Sequence, residues 1–94
     1  MNNKNNQQNT VLVTGAGTGL GFATAKMLAE KGWIVFGTII PSQSPDELKK
    51  LGITPIVTDI TERKSVEDCY KVVESKVGDE GLSALVNVAG VAGI

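Results

Sequence analysis

Short apolar runs alternate along this chain with longer segments in which apolar residues recur at helical spacing. "TVLVT", residues 10–14, is β-branched and apolar through its middle, as in a strand buried on both faces. From Gly19 to Lys31 a helix is predicted: Leu20, Ala23, Met27 and Leu28 recur at its spacing and Gly32 stops it. "WIVFGTII", residues 33–40, predicts a second buried strand. Ser44-Pro45-Asp46-Glu47 has the form of a capping box, with Ser44 as N-cap, Pro45 at the first helical position and Glu47 reaching back. The short helix it opens ends at Gly52. "TPIVTDI", residues 54–60, predicts a third strand, and Pro55 places its start at a sheet edge. Thr61 is positioned to cap a longer helix on which Val66, Cys69, Tyr70, Val73 and Val77 form one apolar stripe. "LSALVNVAG", residues 82–90, predicts the fourth strand.

Strands that alternate with helices are joined by right-handed crossovers and pair in parallel. The first three line up as 3-2-1. A fourth strand on the far side of the first gives 3-2-1-4, and the first strand then sits where the winding reverses. In such a doubly wound α/β sheet, ligands bind at that point, beyond the carboxyl ends of the strands. Residues 1–9, "MNNKNNQQN", stand apart: with nothing apolar after Met1 they are neither a signal peptide nor able to build a core. They are expected to form a disordered tail.

Composition narrows the function. Ninety-four residues make one domain, residues 10–94, near the low end for independent stability. A net charge of −1 with no cluster of Lys and Arg argues against a nucleic-acid partner. Cys69 is the only cysteine and histidine is absent, which excludes an internal disulfide, a multi-cysteine metal site and an imidazole-based one. No apolar run has the length of a transmembrane segment, and the best candidate, "ALVNVAGVAGI", is short and carries Asn87. The expected compartment is the cytoplasm.

The candidate chemistry lies in "TVLVTGAGTGLG", residues 10–21, where four glycines occupy alternate positions. G-x-G-x-x-G fails in every register; from Gly15 and Gly17 its third position would be Leu20. A phosphate-binding loop ending in Gly-Lys-Ser/Thr is excluded because no lysine follows until Lys26. A methyltransferase-type loop would carry an acidic residue where Val13 stands. The spacing that fits is Thr14-Gly15-x-x-x-Gly19-x-Gly21. Gly15 permits the tight turn out of the strand, Gly19 lets backbone N–H groups approach a pyrophosphate, and Gly21 lets the helix pack against the sheet. The competing reading is a glycine-rich turn with no ligand.

Three stretches together resemble the short-chain dehydrogenases/reductases. "TGAGTGLG" matches their T-G-x-x-x-G-x-G, Asp59 in "VTDIT" matches their acidic residue after the third strand, and Asn87-Val88-Ala89-Gly90 matches three of four places of N-N-A-G. The resemblance covers Thr10 to Gly93, and "KVVESKVGDEGLSALVNVAG" looks like the branch containing retinol, hydroxysteroid and 3-hydroxybutyrate dehydrogenases. It implies the N-terminal half of a Rossmann-type sheet and a role for each matching residue. Thr14, Gly15, Thr18, Gly19, Leu20 and Gly21 would hold the pyrophosphate and adenosine ribose. Asp59 would accept a hydrogen bond from the adenine amino group, and Ile60 would pack on the ring. Asn87, Ala89 and Gly90 would line the adenosine and ribose side, Asn87 also bracing the sheet. Other readings stay open: Asp59 as a helix cap and Asn87 as a buried, backbone-satisfied amide. Val88 departs from the pattern and removes a polar side chain beside the groove.

The implied cofactor is NAD or NADP. The family often places an acidic residue at the end of the second strand, eighteen positions past the last glycine, where this chain has Ile39. Residues 32–48 contain no Lys or Arg to meet a 2′-phosphate, and Thr18 stands where the glycine loop often carries a basic residue. A buried phosphate without a cation costs more than a buried hydroxyl, so NAD is preferred. Family members transfer hydride between the nicotinamide and an alcohol or carbonyl, using a serine and a Tyr-x-x-x-Lys pair. The only tyrosine, Tyr70, is followed four places on by Glu74, so no catalytic residue is assigned. The chain is expected to be the cofactor-binding part of such an oxidoreductase, cut before its catalytic segment. With one sheet edge open, it is expected to dimerise or to need the missing half. The alternatives are a non-catalytic nucleotide-binding or interaction module, or an inactive truncated product.

Overall fold

The computed structural model describes residues 9–59, 61–78 and 81–87. Four strands, β1 (Thr10–Thr14), β2 (Ile34–Ile39), β3 (Thr54–Val57) and β4 (Ala84–Asn87), alternate with three helices, α1 (Gly19–Glu30), α2 (Asp46–Lys50) and α3 (Arg63–Val77). All pairings are parallel and the strand order is β3-β2-β1-β4. This is a Rossmann-type α/β sheet, with β3 at the edge that Pro55 requires.

Alternation along the strands divides the core in two. Val11, Val13, Val35 and Ile39 point to one face, where Ala16, Ala25, Leu48 and Ile53 complete a buried cluster. Leu12, Phe36 and Ile56 point to the other and pack with Cys69 and Val73 of α3. Helices α1 and α2 therefore cover one face and α3 the other. The change of face occurs at β1, which lies between β2 and β4 and brings the chain into the glycine turn.

Two helix faces differ from the sequence reading. On α1, Gly21 and Ala25 are buried, and Phe22, Leu28 and Ala29 pack against the core. Of the expected positions only Leu28 joins it, while Leu20 is 66% exposed and Ala23 and Met27 face solvent. Gly21 is small because the start of α1 lies close against the glycine turn. A Cβ at Gly21 would overlap the Gly15 carbonyl oxygen. On α3, Cys69 and Val73 are buried and Val77 packs beside them, but Tyr70 is 48% exposed and outside the core.

The caps also shift. Ser44 Oγ accepts the Asp46 N–H at 3.2 Å, and Pro45, in a helical conformation, accepts from Lys49 N–H, so the Ser-Pro start is present. The reciprocal half is not, because the Glu47 carboxylate pairs with Lys50 at 3.6 Å. Thr61 does not cap α3: its N–H and hydroxyl are both turned back to Asp59, and the helix begins after Glu62. Asn9, assigned to the tail, extends the β1–β2 ladder by accepting the Ile34 N–H at 2.9 Å. Residues 1–8 of that tail lie outside the described residues.

Candidate functional site

The carboxyl ends of β1 and β2 and the first turn of α1 meet at the glycine turn. Gly15 leaves β1 with φ +71°, in the left-handed region that glycine adopts without steric cost. Its N–H donates to Thr38 Oγ1 at 2.9 Å, and the next N–H, of Ala16, donates to the Thr38 carbonyl at 2.8 Å. One residue at the end of β2 thus binds two successive amides of the turn. Gly37 beside it is needed for space, since a Cβ there would come within 2.8 Å of the Ala16 methyl.

Beyond the turn, Gly19 has φ +61° and no atom within 4 Å of where a Cβ would stand. Gly21 is the opposite case, packed against the Gly15 carbonyl. Between them α1 begins without any protein cap: Thr18, in an extended conformation, makes no side-chain cap bond, and the first turn has no acidic residue. The first bond into the helix runs from Phe22 N–H to the Thr18 carbonyl at 3.3 Å. The N–H groups of Gly19, Leu20 and Gly21 have no acceptor within the helix and stand at the positive end of its dipole, those of Gly19 and Leu20 on exposed residues and that of Gly21 on a buried one. The donor set and the open space at Gly19 fit a pyrophosphate.

The other described candidates, Thr14, Asn87 and Asp59, lie at or just past strand ends. The Thr14 hydroxyl donates to Asn87 Oδ1 at 2.8 Å, tying the end of β1 to the end of β4. Asn87 is exposed, which corrects the reading of a buried amide, and its Oδ1 is bonded to the Thr14 hydroxyl. Asp59 follows β3. Its N–H donates to Ser65 Oγ at 2.7 Å, while Oδ1 accepts the Thr61 hydroxyl at 2.6 Å and the Thr61 N–H at 3.0 Å. The hydroxyl bond first, and then the amide bond, hold its carboxyl below the ordinary aspartate value of 3.8. The side chain braces the turn before α3 and does not cap the helix. Oδ2 has no hydrogen-bond partner among the described residues. Ile60, Ala89 and Gly90, and Val88 with them, lie outside the described residues.

Two neighbours of the turn escaped sequence reasoning. Thr38 looks like any β-branched strand residue until the β1–β2 register sets it beside Gly15. Gln43 lies in a polar loop, but its side chain folds back onto Gly17, where a Cβ would overlap the amide.

This architecture, with a glycine turn feeding an uncapped helix at the reversal of the winding, belongs to the Rossmann-type class of doubly wound α/β folds. The family model described as short chain dehydrogenase matches residues 9–94. The chain belongs to the short-chain dehydrogenase/reductase family of oxidoreductases. It is 38% identical over 89 residues to estradiol 17-beta-dehydrogenase 2 of Rattus norvegicus, covering 89% of this chain and 23% of that protein. It is 36% identical over 87 residues to retinol dehydrogenase 5 of Homo sapiens, covering 89% of this chain and 27% of that protein. It is 38% identical over 86 residues to 3-ketodihydrosphingosine reductase of Bacteroides thetaiotaomicron, covering 89% of this chain and 29% of that protein. The chain thus spans about a quarter of the length of these relatives, and the similarity falls in the retinol and hydroxysteroid branch. Among the described residues no helix is long and apolar enough to cross a membrane.

Proposed function

We propose that this chain forms the adenosine and pyrophosphate side of the NAD(P) site of a short-chain oxidoreductase. The observation that carries this reading is the glycine at position 19, left-handed and facing open space, at the uncapped start of α1. The bound cofactor supplies a nicotinamide that exchanges hydride with an alcohol or carbonyl carbon. The residues of this chain do the holding. The N–H groups of Gly19, Leu20 and Gly21 meet the pyrophosphate oxygens, and Thr18 stands beside them. Gly15 fixes the turn, since its own N–H is already bonded to Thr38. Oδ2 of Asp59 accepts from the adenine amino group with Ile60 on the ring, and Asn87, Ala89 and Gly90 line the ribose side. In the family the hydride step uses a Tyr-x-x-x-Lys pair and a serine, and no role in it is given to Tyr70, which has Glu74 four places on.

Amide resonances test the reading directly. On adding NAD, the N–H signals of Gly19, Leu20 and Gly21 should move most, while Gly15 and Ala16 move little. Saturating NAD that leaves those three signals in place would overturn the proposal.

A further inference from the structure

Gly17 is the one glycine of the turn that neither the spacing T-G-x-x-x-G-x-G nor its backbone conformation requires, because its φ is not positive. Space explains it. The Gln43 amide lies where a Cβ of residue 17 would be. That amide is held from behind: Oε1 accepts the Ile40 N–H at 3.1 Å, and Gln43 N–H donates to the Ile40 carbonyl at 2.9 Å. With the oxygen engaged by backbone, the orientation of the amide is set, and Nε2 has no hydrogen-bond partner among the described residues. The result is a fixed, neutral, two-proton donor over the glycine turn, just past the end of β2.

In dinucleotide folds the adenosine ribose is read by a side chain about twenty residues beyond the glycine turn, at the end of the second strand. Here Ile39, the last residue of β2, is buried in the core and cannot reach a ribose. We infer that Gln43 reads the adenosine ribose in its place, Nε2 donating to a ribose hydroxyl, and that this neutral amide selects NAD over NADP. The inference rests on the dinucleotide reading given above. A neutral amide satisfies a hydroxyl, whereas a 2′-phosphate carries charge that requires a cation when desolvated.

The test is calorimetric titration of the full chain with NAD and, separately, NADP, for wild type, Gln43→Ala, Gln43→Arg and Gly17→Ala, each checked for fold by circular dichroism. Wild type should bind NAD more tightly than NADP. Gln43→Ala should weaken NAD by about three- to tenfold, the loss of one neutral hydrogen bond, and barely change NADP. Gly17→Ala should give the same loss by displacing the amide, and combining it with Gln43→Ala should add nothing further. Gln43→Arg should narrow or reverse the preference. Binding of both cofactors with a ratio unchanged in the Gln43 variants would overturn this inference alone. Folded wild type that binds neither cofactor would overturn the dinucleotide reading and this inference with it.

Discussion

Thr38 supports the glycine turn by a means no glycine offers, since its hydroxyl and carbonyl each accept an N–H from successive residues of the turn. Thr38→Val keeps the shape of a β-branched strand residue but leaves the Gly15 N–H without its acceptor. Thermal and urea unfolding should show a loss of about 1–3 kcal/mol, the cost of one part-buried donor left unpaired. Unchanged stability would mean that the turn holds its shape without that bond. Asp59 gives a second prediction at this scale. Its folded pKa is lowered, so the stabilisation is present above the ordinary value of 3.8 and is lost as pH falls through the folded value below it. Following the Asp59 carboxyl carbon by NMR should give a midpoint under 3.8 that rises toward it in Thr61→Val. The same midpoint in both proteins would show that Thr61 is not the cause. Glycine spacing made Gly15, Gly19 and Gly21 legible in the sequence, because close approach and left-handed backbone exclude other residues there. Thr38, Gln43 and the Asp59–Thr61 bond were not legible. Each depends on a strand register or a loop folding back, and neither is encoded in local composition.

At the scale of elements, the four described strands were legible as apolar runs, α1 and α3 by their helical spacing and α2 by its Ser-Pro start; β1 keeps its expected bounds, while the other elements have at least one end displaced. The orientation of α1 was less so. Periodic hydrophobicity ranks Leu20 and Met27 above Gly21 and Ala25, yet Gly21 and Ala25 are the buried pair, Gly21 because a Cβ there would overlap the Gly15 carbonyl oxygen. Leu48→Ala, at a fully buried position of α2, should cost about 2–5 kcal/mol in denaturant unfolding. Met27→Ala, on the solvent side of α1, should stay within about 0.5 kcal/mol of wild type. Comparable losses in the two variants would contradict the observed face of α1. Thr61 illustrates the same limit in a cap. As a favoured N-cap residue it was expected to start α3, but Asp59 engages both its donors first.

For the whole molecule, the order β3-β2-β1-β4 followed from alternating strands and helices plus the rule that crossovers are right-handed. That order places β1 between connections that cover opposite faces, and it is why the glycine turn stands where the winding reverses. It also leaves Leu85 of β4, beside Leu12 on the α3 face, 52% exposed. The proposed function requires this chain to hold a dinucleotide at the start of α1. Calorimetric titration with NAD of the wild-type chain and of Gly19→Val tests it most directly. A valine at φ +61° is strained by about 1–2 kcal/mol and fills the open space, so circular dichroism should first confirm that the variant folds. Saturable one-site binding by wild type that is lost in folded Gly19→Val is the predicted result. Equal binding by the two chains, or none by a folded wild type, would contradict it.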